Sequence, residues 1–147
     1  MFITELTNSG PIPVLEATMR FAAQRQRLIA HNIANLSTPD FRPLDVSVPA
    51  FQKSLREAID ARRSGRAPPA GPLPLARNPE LEVSPDGTLR LNPRTASANI
   101  LFHDRNNRDL ERTMQDLVEN AAAFRVASDL LRSRYQLLNS AVAERVI

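Results

Sequence analysis

Proline decides where this chain can be helical. Its 12 prolines all fall outside two windows, residues 14 to 38 and residues 94 to 147. An interior proline removes a backbone donor and clashes with the preceding turn, so only these windows can hold long helices. In the first, Leu15, Met19, Ala22, Gln26, Ile29, Ile33 and Leu36 recur at alternating steps of four and three, and Val14, Phe21 and Leu28 widen the stripe on one side. This spacing predicts an amphipathic helix over residues 13–36, after a flexible start at residues 1–12. Pro11 and Pro13 sit where a missing N–H does no harm, and Thr38-Pro39 blocks continuation.

The second window is more regular. Leu110, Met114, Leu117, Ala121, Phe124, Ser128, Leu131, Tyr135, Leu138 and Val142 keep the four-three rhythm over more than four heptads. Asn106 or Asn107 can cap the start, and Asp109 and Glu111 bring negative charge to the first turn, where the helix dipole favours it. A helix over residues 107–147 is expected. If residues 108 to 145 are helical it is on the order of 55 Å long, against about 36 Å for the first helix. An antiparallel pairing then leaves about 14 residues of the longer helix without a partner within the chain. Covering their apolar side chains is worth roughly 1.5 to 3 kcal/mol per large residue, and other subunits are the natural cover.

Residues 37–106 change character. Phe51, Leu55 and Ile59 at i, i+4 and i+8 predict a short helix over residues 50–63, and residues 64–79, with five Pro and two Gly, read as a mobile linker. Leu81 and Val83, then Leu89 and Leu91, alternate with polar residues around Pro85-Asp86-Gly87, which predicts a small β-hairpin within residues 80–92. The expected fold is mostly α, one domain whose two long terminal helices form an antiparallel coiled-coil-like pair.

Composition excludes more than it assigns. Hydrophobic residues make up 42% but aromatics only 5%, so the core must rest on aliphatic side chains and a few Phe, which suits helices. The net charge of +3 is spread along the chain, and residues 107 to 147 balance six Arg against six acids, so no basic stripe for nucleic acid emerges. Without Cys there is neither a disulfide framework nor a thiolate metal site. His31 and His103 have no second His at ligand spacing, no nucleophile elbow or paired-carboxylate motif occurs, and four Gly leave little for a phosphate loop. No catalytic, cofactor or metal site is expected. Met1 to Ser9 contains Glu5, no base and no apolar run of signal-peptide length, so a cleaved general-secretion signal is not expected either.

One local constellation stands out, Ala30-His31-Asn32-Ile33-Ala34-Asn35-Leu36-Ser37-Thr38-Pro39-Asp40-Phe41. Asn32 and Asn35 are one turn apart, so their amides can bond helix-end carbonyls or a neighbouring backbone while Ile33 and Leu36 stay on the seam. The plain alternative is an ordinary helix C-terminus, in which Asn tolerates the left-handed conformation. Asn35-Leu36-Ser37 is formally a glycosylation sequon, a coincidence at a helix end.

Asn32-Ile33-Ala34-Asn35, two residues, Thr38-Pro39 and the aromatic Phe41 closely resemble the signature of the bacterial flagellar rod and hook family of axial proteins. Ala23 to Ala30 resembles that family's first helix. Asn106-Asn107, Asp109-Leu110-Glu111-Arg112 and Met114 resemble the start of its terminal helix, especially in FlgB-type proximal rod proteins, and Arg134-Tyr135 with Leu137-Leu138 fits that subtype. Asp40 stands where Gly or Asn is usual, and Arg108 where Val is common. The match covers about 75 residues at the two ends. The resemblance implies a structural subunit without chemistry or cofactor, exported uncleaved by the flagellar type III apparatus. It implies self-assembly into the periplasmic rod of the basal body, which transmits torque for motility, beside a FliE-type adaptor and other rod subunits. Two rivals remain: a helical adaptor module that binds one partner helix in a non-flagellar assembly, and a basic helical nucleic-acid binder, against which the charge balance of the terminal helix speaks.

Overall fold

A computed structural model describes residues 10–84, 88–95 and 109–143. In chain order the elements are α1 (Ile12–Ala34), β1 (Leu44–Asp45), α2 (Val48–Arg63), β2 (Leu81–Val83), β3 (Leu89–Leu91), β4 (Arg94–Thr95) and α3 (Leu110–Ala143). The fold is mostly helical, with two long terminal helices. β1 pairs antiparallel with β4, and β2 with β3 in the register Leu81↔Leu91, Glu82↔Arg90 and Val83↔Leu89. The turn expected at residues 85–87 lies outside the described residues.

α1 begins one residue before Pro13, which occupies the first turn, where its missing N–H goes unused. It ends at Ala34, two residues short of the expected Leu36. The Asn35 N–H and the Asn35 Nδ2 both donate to the His31 carbonyl, at 3.2 and 2.9 Å, and close the last turn. The chain then turns through Asp40, whose φ of 58° is left-handed. Such a conformation costs a residue with a Cβ roughly 1–2 kcal/mol, more than the entropy glycine loses on folding. Asp40→Gly is therefore expected to raise stability by about 0.5 kcal/mol, read as a higher midpoint in thermal unfolding.

α2 starts two residues before the expected position because Ser47 caps it: the Ser47 Oγ accepts from the Ala50 N–H at 3.2 Å, and Pro49 fits the first turn. Its apolar positions meet the side of α1 that carries Phe21 and Leu28. The rings of Phe21 and Phe51 stack with centroids 4.0 Å apart and planes within 3°. Around them Val46, Leu81 and Leu89 are buried, with Leu28, Val48, Leu55, Leu75, Val83 and Leu91 packed against the cluster. The middle of the chain is thus a layer folded onto α1, held also by Gln24 Nε2 donating to the Leu89 carbonyl.

The segment expected as a linker is docked in part. Its residues form neither helix nor long strand, yet Leu73 is only 6% exposed. The Arg62 guanidinium donates to the carbonyls of Gly71 and, at 2.9 Å, Pro72, which ties the segment back to the end of α2. A proline-rich run needs few backbone partners, so a single buried leucine and one arginine suffice to dock it.

Candidate assembly interface

α1 and α3 lie alongside each other and run in opposite directions, as three polar contacts show. Arg25 of α1 meets Asp116, Ala22 and Gln26 meet Asn120, and Glu16 meets Tyr135. Beyond the last contact α3 has eight further residues, to Ala143, against four in α1 back to Ile12.

The contact line is more polar than the heptad pattern predicted. Arg25 is 5% exposed, Asn32 7% and Asn120 5%, interleaved with buried Ala22, Ile29 and Ala127. The Arg25 fork donates from Nε and Nη2 to the two carboxylate oxygens of Asp45, at 2.9 and 2.7 Å, and from Nη2 to Asp116 at 2.8 Å. Burial alone would lower the pKa of Arg25, but the hydrogen bonds and charge of Asp45 and Asp116 outweigh it and push the pKa above its ordinary range. One side chain thereby joins α1, β1 and α3. The Asn120 amide donates to the Ala22 carbonyl at 2.9 Å and to Gln26 Oε1 at 2.8 Å, which pins α3 in one register on α1.

Asn32 of the singled-out motif does bond a neighbouring backbone. Its Nδ2 donates to the Leu44 carbonyl at 2.8 Å and its Oδ1 accepts the Leu44 N–H at 3.1 Å, so it holds β1 as a strand partner would. Asn35 closes the helix instead. Thr38 and Pro39 are exposed in the turn, and Phe41 lies half-buried with its ring 5.6 Å from that of His31.

The predicted seam divides. On α1, Ala22 and Ile29 are buried and Leu15, Met19 and Ile33 half-buried, while Leu36 is half-buried in the turn beyond the helix. On α3, Leu117, Leu131, Tyr135 and Leu138 are half-buried, whereas Leu110 (45%), Met114 (42%), Phe124 (38%) and Val142 (56%) are exposed, as is Ala121. Asp109 precedes the first turn and caps it, its Oδ1 accepting the Arg112 N–H at 3.0 Å. Asn106 and Asn107 lie outside the described residues. Arg25, Asp45, Asp116 and Asn120 escaped the sequence pattern because it scores apolar residues. The usable signal was that Ala22, Arg25, Ile29 and Asn32 also keep a three-four-three spacing.

The uncovered apolar surface of α3 lies along its flanks as well as at its end, where exposed Val142 continues the seam past the last contact with α1. At about 100° per residue, Leu110, Met114 and Ala121 fall on one side of the line facing α1, and Val126 (60%), Leu130 (51%) and Leu137 (62%) on the other. Both sets keep steps of four and seven. A single neighbouring helix covers only the face between them.

Tyr135 is the sole tyrosine of the chain, and its hydroxyl donates to Glu16 Oε1 at 3.3 Å. Burial, then the negative charge of Glu16 and the hydrogen bond to it, raise its pKa above the ordinary value. The neutral phenol is therefore favoured in the folded state. Its contribution is complete below the ordinary tyrosine pKa and is lost as pH rises through the folded value. Near-ultraviolet absorbance should show this phenol titrating at higher pH folded than in urea, and Glu16→Gln should narrow the gap.

Among the described residues, no three His, Cys, Asp or Glu side chains gather to hold a metal ion, and no helix is long and apolar enough to cross a membrane. No protein-family model matches the chain, and no curated protein matches it.

Proposed function

We propose that this chain is an axial structural subunit of the bacterial flagellar basal body, of the proximal rod type, and that it acts by assembly rather than catalysis. The observation that carries the reading is the exposure of eight large hydrophobic side chains on α3, among them Leu110 and Met114 on one flank and Val126, Leu130 and Leu137 on the other. Each half-exposed side chain leaves roughly 1 kcal/mol of burial ungained, so the helix is better placed inside a larger bundle than at its surface. Neighbours on both flanks would complete a coiled-coil-like layer. The Asn32 to Phe41 and Asp109 to Met114 motifs, which resemble those of the rod and hook family, give the neighbours an identity: copies of this chain, other rod subunits and a FliE-type adaptor. Export without a cleaved signal, a place in the periplasmic rod and a role in transmitting torque follow from the same resemblance. A helical adaptor needs one groove for one partner helix, and two opposed apolar flanks exceed that need.

The test is a pull-down of the tagged chain from a flagellated cell, with identification of the proteins that come with it. Rod and basal-body proteins are expected; finite complexes that lack them would sink the reading. Leu130→Asp and Leu137→Asp, at exposed positions, should leave the circular dichroism of the chain unchanged and abolish its incorporation, because each places a charge where a neighbour packs.

A further inference from the structure

Residues 68–77 form a strap fixed at both ends. Before it, the Arg66 and Ala67 N–H groups donate to the Ala61 carbonyl at 2.9 and 3.1 Å; after it, Asn78 and Leu81 exchange two backbone bonds, at 3.2 and 3.1 Å. Between these anchors the hold is slight. Four of its ten residues are proline and carry no N–H, and Leu73 is the one buried residue in it. Among the described residues, the hydrogen bonds that tie it to the rest of the chain come from the Arg62 guanidinium, whose Nη2 donates to the Gly71 and Pro72 carbonyls.

Two features weaken that hold further. Nε and Nη1 of Arg62 are buried without a partner, so closing the strap strips water from two donors and gives them no acceptor. The same burial lowers the pKa of Arg62. Beneath the strap a space of about 220 Å³ remains against Pro13, Glu16, Ala17 and Arg20 of α1, Val83 of β2 and Leu89 of β3. Leu73 and Leu75 face this wall without filling the gap, which forfeits much of the packing a closed cover could have.

We propose that residues 68–77 are a hinged strap, which swings off α1 and back while the helices and both strand pairs stay folded. Gly71 is the hinge: its φ of 102° suits glycine alone, and a Cβ there would meet nothing within 4 Å, so no neighbour holds the bend in place. Opening breaks the two bonds of Arg62, returns all its donors to water and exposes little apolar surface beyond Leu73, the signature of a segment that opens locally. It uncovers the Pro13 to Arg20 stretch of α1 and leaves the Arg25 and Asn120 contacts with α3 untouched. The motion belongs to the single chain and is independent of any assembly.

Methyl relaxation dispersion on the unmodified chain measures the motion. The Leu73 and Leu75 methyls are expected to share one exchange process in the microsecond-to-millisecond range, while those of Leu28 and Leu55, packed against the Phe21 and Phe51 cluster, stay flat. Arg62→Ala removes the clasp and should raise the open fraction roughly tenfold, with the circular dichroism of the chain unchanged. Leu73→Ala, at the anchor, should raise it as well. Flat profiles at Leu73 and Leu75 in the parent chain, or an open fraction that ignores Arg62→Ala, overturn the strap. Exchange with one rate and one population at all four leucines overturns it too, because the whole layer is then what opens.

Discussion

Arg25→Leu is expected to lower the unfolding free energy by about 2–3 kcal/mol and to loosen α3 from α1. The change removes the cation that bridges Asp45 and Asp116, whose side chains are 27% and 30% exposed. Both carboxylates then face an apolar side chain in a partly buried site. Loss of one partner from a fully buried pair costs about 3–5 kcal/mol, and the partial exposure of these carboxylates brings the figure down. Urea unfolding of the variant measures the loss. Replacing both acids by Asn in the same background should recover most of it, because the cost lies in the unpaired charge rather than in the missing packing. A variant as stable as the parent would show that the fork contributes little and that Asn120 alone holds the register.

Phe51→Ala should cost about 3–5 kcal/mol, the usual range for deleting a buried aromatic ring. Phe51 is 2% exposed and its ring lies flat on Phe21, so the deletion removes the stack and opens a void between α2 and α1. In a chain this small that is a large share of the total stability. Phe51→Leu keeps most of the volume and should cost less than half as much. If the two variants unfold at the same urea concentration, shape complementarity at the stack is not what holds the middle layer on.

The long elements were legible because periodicity over several heptads reports one buried face whatever covers it. Leu117, Leu131, Tyr135 and Leu138 were found that way. The phase of the contact was not, since Arg25, Asn32, Asp116 and Asn120 act through hydrogen bonds whose partners are set only by the fold, and an apolar pattern passes over them. Phe21 and Leu28 were visible as a broadening of the first stripe, and Phe51 with Leu55 as a short helix. That these two surfaces meet depends on a chain reversal which local spacing does not encode. In residues 64–79 five prolines signal a lack of regular structure and say nothing of contacts, and Leu73 is buried there.

Three of the ties of α1 differ greatly in sequence separation. Arg25 and Asp45 are 20 residues apart, Gln24 and Leu89 are 65, and Asn120 and Ala22 are 98. Going from the shortest of these closures to the longest adds about 1.4 kcal/mol of chain entropy, a little over two doublings of loop length. Contact order therefore ranks the assembly of the monomer itself. β1 and the middle layer can condense on α1 soon after those residues emerge, and α3 joins last, over the longest closure and largely through polar contacts. Amide exchange tests this order: α3 amides that exchange before those of β1 and the middle layer are expected, and the reverse order would show that the extent of the α1–α3 contact outweighs the longer closure.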